Sequence, residues 1–368
     1  MTENLEFSLS KNTLEKMLTL KTNLGFDKKT WDEWFEYVLN TLQVEKSSNQ
    51  ELEDILKKVY YEKFYESWVK NFALNLNDIW NGPSARVLNI PMESNYDHED
   101  HSAIVIGKGP SVKKNKHLEL LANSDYKGAI ICCDGALVDA LLAGVTPEKF
   151  PQYYVVTIDG MGIIRKYYDD DVVDKYGIKI KGIFSTITHP LVVERAKKAG
   201  IKIHWLHALF DYDEGKKSFN QISALMVRSK NHLNGLPAIQ TGGNAGTASW
   251  FISWQILKRF IVCLIGINHS WDEDDPWDLI TSHCTILGTS VDKNNPVFNK
   301  LFPKIYNPEF KCNCILDPLF LYYSNALKEF ISRSPSHVTT INATQGGCIF
   351  GERIKCSTLQ DFLDIHKK

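Results

Sequence analysis

The sequence has no long apolar run and no imbalance of charge, and both absences limit what the protein can be. The longest apolar run, Phe260 to Ile267, is far shorter than the ~20 residues of a membrane-spanning helix. The first residues, MTENLEFSLSKN, lack the apolar core of a signal peptide, so a cytoplasmic protein without a membrane span is predicted. The 42 Lys and Arg nearly balance the 44 Asp and Glu, and this balance argues against nucleic acid as a partner.

Cysteine pairs and standard phosphate-binding motifs are also missing. The eight cysteines are scattered, and Cys132, Cys133 and Cys263 lie in apolar runs typical of reduced, buried thiols. Cys312 and Cys314 have the wrong spacing for a zinc site. No GxxxxGK[ST] motif occurs, which excludes a P-loop. What remains is a globular composition, 43% hydrophobic over 368 residues, which predicts one large domain with appendages or two domains.

Hydrophobic periodicity divides the chain into three parts. Residues 1–90 carry apolar side chains at helical spacing and predict a helical appendage. Its start, a short alternating stretch before two helices that Gly25 separates, is similar to ribbon–helix–helix modules, so a homodimer through this appendage is predicted. Residues 91–101, rich in turn formers and acids, predict a linker. Residues 102–368 alternate short β-branched runs with helices and predict the main domain.

The pattern of residues 102–368 predicts a doubly wound, Rossmann-like α/β fold with a mostly parallel sheet. Continuous apolar strands between helices are typical of a sheet that is covered on both faces. Ligands in such folds bind at the carboxyl ends of the strands. The predicted strands are 102–107, 128–133, 153–158, 182–187, 201–206, 261–266 and 337–342.

The first strand runs directly into the segment Gly107-Lys108-Gly109-Pro110-Ser111, which we call the glycine cradle. Glycine lets the backbone approach a ligand closely, while proline and serine suit the first turn of a helix. The free N–H groups of such a turn attract phosphate. The cradle is therefore predicted to bind an anion, and the alternative is a plain turn between strand and helix.

The next two predicted strands each end in an Asp-Gly pair, Asp134-Gly135 and Asp159-Gly160. Carboxylates at the same edge as the cradle can bind a ribose, a base or a Mg²⁺ ion that bridges phosphates. The alternative is an aspartate that caps the following helix. Asp134 and Asp159 are therefore predicted as nucleotide or magnesium ligands, with Asp159 also predicted as catalytic.

Two further segments carry candidate chemistry. The turn Thr241-Gly242-Gly243-Asn244 opens a long helix and offers backbone N–H donors to an anion or a substrate carboxylate. His189 and His269 follow strands, where a histidine can act as general base in a transfer reaction. The alternative for each is a hydrogen-bonded histidine without a catalytic role.

These motifs resemble a known family. The segments SAIVIGKGPSVKKN, IICCDGALVDALLAG and YYVVTIDG resemble the MptE-like 6-hydroxymethylpterin diphosphokinases typified by archaeal members. The segments QTGGNAGTASWF and TTINATQGGCIFG are similar to longer relatives, the motility-associated factors implicated in adding nonulosonic acids to flagellin. The resemblance extends from Ser102 to Leu363 with gaps and leaves the first 100 residues uncovered.

The resemblance implies a role for individual residues of this chain. It implies that Gly107, Gly109, Pro110 and Ser111 hold the nucleotide's phosphates and that Asp134 and Asp159 lie in the site. It also implies a far wall of Thr241, Gly242, Gly243, Asn342, Thr344, Gly346 and Gly347. With the turn residues included, the predicted nucleotide-binding set is Gly107, Gly109, Pro110, Ser111, Asp134, Gly135, Thr241, Gly242, Gly243 and Asn244. The predicted wall of the substrate site is Asn268, Asn342, Thr344, Gly346 and Gly347. Asn268 stands where relatives usually carry aspartate, and Gln345 replaces a frequent glutamate, so both positions have lost a charge.

The expected function is that of a nucleotide-dependent transferase, and three versions stay open. The first transfers a nonulosonic-acid-type sugar from a CMP-activated donor to a protein or glycan acceptor. The second is a Mg²⁺-dependent 6-hydroxymethyl-dihydropterin diphosphokinase that uses ATP. The third is a catalytically decayed nucleotide-binding or scaffold protein with the N-terminal helices as its partner surface.

Overall fold

A computed structural model describes residues 11–23, 30–31, 34, 64–89, 101–209, 235–283 and 302–366. The chain divides into two compact units, residues 1–57 and residues 58–368. The smaller unit contains helix α1, Lys11–Asn23. Within it, Lys21 Nζ lies 4.7 Å from the centroid of the Trp31 ring. The larger unit contains the sheet and the candidate site.

Most strands of the larger unit are short, apolar and buried. Along β1, Ile104 and Ile106 belong to the apolar core on one face of the sheet, while Ala103 and Val105 belong to the core on the other. Burial of both faces explains why the runs are continuously apolar. The strands are β1 (Ser102–Ile106), β2 (Ala129–Cys133), β3 (Tyr153–Thr157), β4 (Lys181–Ser185), β5 (Lys202–Leu209), β6 (Ala238–Gln240), β7 (Ile261–Ile265), β8 (Trp271–Asp272), β9 (Lys304–Asn307), β10 (Cys312–Ile315), β11 (Thr339–Asn342) and β12 (Ile354–Cys356).

Nine of these strands form one sheet in the order β12-β11-β7-β1-β2-β3-β4-β5-β6. Every neighbouring pair in it is parallel. The doubly wound α/β prediction is confirmed, and the seven predicted strands are all present. From β1 the successive strands β2 to β6 are added on one side, whereas β7 and the later strands β11 and β12 lie on the other side of β1. Such a switch point is where ligands bind in open α/β sheets.

Helices follow most strands. Among the described residues of the larger unit, the helices are α2 (Glu66–Asn81), α3 (Ser111–Lys114), α4 (His117–Ala122), α5 (Leu137–Leu142), α6 (Asp171–Tyr176), α7 (Pro190–Lys198), α8 (Ala245–Phe251), α9 (Trp277–Ile280), α10 (Pro318–Ser332) and α11 (Leu359–Ile365). A second, antiparallel sheet that the sequence did not predict has the order β8-β10-β9. Among the helices described, none combines the length and the apolar character that a membrane crossing needs.

Helix α2 lies elsewhere than predicted. The helical spacing predicts an appendage of residues 1–90 that includes this helix, yet Phe72 and Ile79 are 3% and 2% exposed and belong to a core of the sheet. The boundary between the two units falls between Lys57 and Lys58. An amphipathic pattern marks an apolar face but does not say what covers that face. The predicted linker 91–101 lies, apart from His101, outside the described residues, and dimerisation through the segment before it stays a prediction.

Candidate functional site

The glycine cradle lies tightly against the end of β7. Gly107 N donates to Ile265 O at 2.8 Å, and Gly109 N donates to Gly266 O at 2.8 Å. A Cβ atom at Gly107 would lie 2.4 Å from Gly266 O, and one at Gly109 would lie 2.1 Å from Asn268 Oδ1. Both positions therefore require glycine because the two strand-end loops touch.

The cradle keeps donors available for an anion. Ser111 Oγ donates to Asn268 Oδ1 at 2.8 Å, which ties the start of α3 to the end of β7. Among the bonds that the described part of the chain makes, none uses the backbone N–H of Lys108 or Ser111. Two unused N–H groups beside a lysine form an arrangement that suits a phosphate.

The turn Thr241–Asn244 adjoins the cradle, although 130 residues separate them. Gly242 and Gly243 have φ values of +57° and +80°, which favour glycine. Asn244 Oδ1 accepts from Thr247 N at 2.9 Å and so caps α8. The Cδ1 atom of Ile267 lies 2.4 Å from a Cβ built at Gly107 and 2.7 Å from one built at Gly246. Ile267 is thus the contact through which the cradle and the start of α8 meet.

Asp134 and Asp159 form an acid pair at the carboxyl ends of β2 and β3. Burial, and then the charge of Asp159, raises the pKa of Asp134 to about 7. Burial also raises the pKa of Asp159. Asp134 Oδ1 accepts from Gly135 N at 2.7 Å, and Asp159 Oδ1 accepts from Met161 N at 2.8 Å. Each aspartate therefore accepts a hydrogen bond from the turn that follows it, as a capping residue does, and Asp134 also interacts with the charge of Asp159.

The acid pair fits a magnesium ion. The Asp159 charge raises the proton affinity of the buried Asp134, and a bound cation relieves that repulsion. Mg²⁺ is commonly held by one or two carboxylates together with phosphate oxygens and water. The described residues contain no cluster of three or more His, Cys, Asp or Glu side chains, so Asp134 and Asp159 would share the ion with the substrate.

Lys108 connects the cradle to the acid pair, and the sequence analysis did not assign it a role. Its Cδ lies 3.2 Å from a Cβ built at Gly135, and its Nζ lies 4.6 Å from the centroid of the Tyr167 ring. The Lys108 charge opposes the rise in the pKa of Asp134. Lys108 occupies the variable position of the motif G-x-G-P-S, so the motif alone does not predict a cation between the cradle and the two acids.

Two asparagines of α2 reach the same edge of the sheet and were also missed. Asn71 Nδ2 donates to Gly160 O at 2.9 Å and to Ile187 O at 3.1 Å. Asn75 Nδ2 donates to Thr188 O at 2.7 Å. Both side chains are buried. They fix the loops after β3 and β4, and their only sequence signal is a pair of asparagines four residues apart on an apolar helix face.

His189 caps α7 and is oriented by that contact. Its Nδ1 accepts from Leu191 N at 3.2 Å. In the neutral ring the proton is then on Nε2, and Nε2 lies 3.3 Å from a Cβ built at Gly162 in the loop after β3. Burial, and then the charge of Lys70, lowers the pKa of His189. His189 is therefore arranged as a hydrogen-bond donor, whereas its position after a strand predicts a general base.

His269 is held in an interior position. It is 7% exposed, it has a φ of +45°, and its Nδ1 is buried without a hydrogen-bond partner in the described chain. Burial, and then the charge of Lys328, lowers the pKa of His269 to about 3. The ring lies 6.2 Å from that of Phe320 and 6.0 Å from that of Tyr323. A neutral ring this deeply buried is poorly placed to meet an acceptor.

Gly346 and Gly347, two of the residues predicted as the substrate wall, lie against Asn268. Asn342 Oδ1 accepts from Thr344 N at 2.9 Å and shapes the loop after β11. A Cβ built at Gly346 would lie 3.8 Å from Asn268 Nδ2, and one at Gly347 would lie 2.5 Å from Asn268 O. Because Asn268 also binds Ser111, the structure brings this wall to the cradle.

A family model described as 6-hydroxymethylpterin diphosphokinase MptE-like matches residues 70–274. This match covers more than half of the chain. The chain belongs to the MptE-like family. The MptE-like match begins within α2 and contains the cradle, the acid pair and the Thr241–Asn244 turn. It ends before the wall residues Asn342 to Gly347.

Among solved structures, the chain is similar to the MAf glycosyltransferase from Magnetospirillum magneticum AMB-1. The two are 14% identical with a TM-score of 0.49, over 77% of this chain and 38% of that one. This MptE-like chain therefore spans little more than a third of that protein's length. A search of curated proteins finds no match.

Proposed function

We propose that this protein is a nucleotide-dependent transferase whose glycine cradle holds a phosphate of the donor. The observation that carries the proposal is the joint position of the cradle, Lys108 and the acid pair at the switch point of the sheet. Free N–H groups and a lysine bind phosphate, and the two acids can share a cation with it. Such preorganised charge stabilises a leaving phosphate as its negative charge develops.

We favour a CMP-activated sugar of the nonulosonic-acid type as donor, with a protein or glycan hydroxyl as acceptor. The turn Thr241–Asn244 adjoins the cradle, and Gly243 N and Asn244 N donate to Thr241 within it. Among the bonds that the described residues make, none uses the N–H of Gly242, a donor that suits a sugar carboxylate. The wall from Asn342 to Gly347 also adjoins the cradle and lies outside the MptE-like match. A site enlarged by this wall supports a substrate larger than a pterin.

The chain's own residues have separate tasks in this transfer. The cradle and Lys108 bind and orient the phosphate. His189 Nε2–H, held by the cap on Leu191, can donate to an oxygen that gains negative charge. Asn71 and Asn75 keep the loops after β3 and β4 in position. Mg²⁺, held by Asp134 and Asp159, would supply neutralising charge to the phosphate.

The acid pair supports a second candidate, the Mg²⁺-dependent diphosphokinase that uses ATP. In phosphoryl transfer, positioning and charge neutralisation supply most of the catalysis, and a metal that bridges phosphates is central to both. The same two aspartates can therefore serve either reaction. The released nucleotide distinguishes the two reactions, because sugar transfer releases CMP and the diphosphokinase releases AMP.

The test is a binding screen followed by product analysis. Thermal unfolding is measured with CMP, CTP, ATP and CMP-N-acetylneuraminic acid, each with and without Mg²⁺. A ligand at 100 times its dissociation constant adds about 2.7 kcal/mol of stability. CMP release supports sugar transfer, and AMP release from ATP with a pterin supports the diphosphokinase. Binding without turnover of either supports the decayed protein, and no stabilisation by any nucleotide contradicts the proposal.

A further inference from the structure

A histidine–aspartate dyad that belongs to none of the predicted motifs is linked to the site through the ring of Phe320. His283 Nδ1 and Asp317 Oδ2 are 2.7 Å apart. Asp317 is fully buried and caps α10, where its Oδ1 accepts from Phe320 N at 2.8 Å. Its Oδ2 also accepts from Trp271 Nε1 at 2.7 Å. Three donors thus fix the Asp317 carboxylate in one orientation.

This arrangement defines which nitrogen of His283 is available. Since the carboxylate faces Nδ1, that nitrogen carries a proton and Nε2 presents its lone pair. Among the hydrogen bonds that the described residues make, none involves His283 Nε2. The side chain is 22% exposed. His283 is therefore a supported and accessible base, whereas His269 is buried and His189 uses Nδ1 for its cap.

Aromatic contacts link the dyad to the site. The Phe320 ring lies 4.8 Å from the His283 ring and 6.2 Å from the His269 ring. Tyr323, 6.5 Å from Phe320, lies 2.6 Å from a Cβ built at Gly243. One row of contacts thus runs from the dyad to the turn beside the cradle.

The backbone gives a second link. Trp271, which also donates to Asp317, lies three residues after Asn268, which binds cradle residue Ser111. Its neighbour Asp272 pairs with Lys114 of α3 at 2.9 Å. Strand β8, whose Trp271 donates to Asp317 of the dyad, is therefore tied to the helix that leaves the cradle.

We propose that His283, oriented by Asp317, is the general base that takes the proton of the acceptor hydroxyl. The inference rests on the sugar transfer proposed above. In the step, the acceptor oxygen forms a bond to the anomeric carbon of the donor as the bond from that carbon to the phosphate oxygen breaks. CMP leaves with the electron pair, and the acceptor proton ends on His283 Nε2. Asp317, the titratable group in contact with His283 among the described residues, stabilises the resulting imidazolium.

The test follows CMP release from CMP-N-acetylneuraminic acid by the full chain, with water and with added glycerol as acceptors. His283→Gln keeps an N–H donor for Asp317 but has no base, so release should fall by about 10² or more. CMP affinity, measured by calorimetry, should not change. Asp317→Asn should also slow release, because an amide N–H facing Nδ1 moves the ring proton to Nε2. His337→Gln, the same change at an exposed histidine near the amino end of β11, should keep the wild-type rate.

A rescue experiment separates chemistry from structure. Free imidazole should partly restore CMP release to His283→Ala, because it can occupy the vacated space as a base. If His283→Gln releases CMP at the wild-type rate, the dyad inference fails and the transferase proposal stands. If the variant loses CMP affinity and release together, the dyad is structural and the inference fails. If the wild-type chain releases no CMP, sugar transfer and the inference fail together.

Discussion

The raised pKa of Asp134 should make the protein less stable as pH rises, and Asp134→Asn should remove that contribution. Burial and the Asp159 charge raise the pKa of Asp134 from 3.8 to about 7. At a pH between these two pKa values, the carboxyl group of Asp134 has lost its proton in the unfolded chain but keeps it in the folded chain. Stability is therefore lost as pH rises through this window. The difference between the folded and unfolded pKa values of Asp134 corresponds to about 4 kcal/mol of unfolding free energy, at 1.36 kcal/mol per pKa unit.

Asparagine keeps an oxygen that can accept from Gly135 N but carries no charge. The wild-type chain has already lost part of this stability at pH 5. The unfolding free energy of Asp134→Asn relative to wild type should therefore rise by about 2 to 3 kcal/mol between pH 5 and pH 8. Urea unfolding at both values measures it, and the exposed Asp125→Asn is the control. The reasoning is refuted if the advantage stays constant or shrinks, since Asp134 would then be ionised at no cost. Mg²⁺ should stabilise wild type more than the variant at pH 8.

Three further predictions concern the site and the units. Asp159→Asn should lower the rate of transfer by about 10² while the melting temperature changes little, because asparagine preserves the turn contact to Met161 N; an equal loss of stability would indicate a purely structural cap. Lys108→Met should weaken nucleotide binding about tenfold or more in calorimetry, as a lost hydrogen bond to a charged group does; unchanged affinity would exclude a phosphate contact. A chain that begins at Lys58 should fold, while one that begins at Ser84 should aggregate because it lacks α2; circular dichroism and sedimentation compare them, and a monomeric, folded Ser84 chain would contradict the packing described.

Strand positions followed directly from the sequence because burial on both faces leaves a continuous apolar run. The strands that were missed lack this signal. β6 is three residues long and ends in the exposed Gln240, and β12 contains the exposed Lys355. Helix α2 was recognised as amphipathic, but its partner is set by Phe72 and Ile79 packing in a core that the local pattern does not reveal.

The site was predictable in part for the same reason. Parallel strands end at one edge, so strand-end residues such as Asp134 and Asp159 could be grouped from order alone. The contact of Ile267 with both the cradle and α8 depends on the long return of the chain to β7. The reach of Asn71 to Gly160 depends on a helix 89 residues earlier. Tertiary packing decides such contacts.

The central claim, that the cradle binds nucleotide phosphate, is tested most directly by calorimetry with one matched pair of glycine variants. A Cβ at Gly109 would lie 2.7 Å from Gly266 O, and one at Gly177 would lie 1.9 Å from Ala199 O at the opposite edge of the sheet. Both alanine substitutions therefore strain a backbone contact, at about 1–3 kcal/mol each. With CMP or ATP as ligand, Gly177→Ala should bind like wild type, and Gly109→Ala should bind at least about 10² more weakly, because several N–H contacts of a charged phosphate are displaced together. Wild-type affinity in Gly109→Ala, or an equal loss in both variants, would contradict the account.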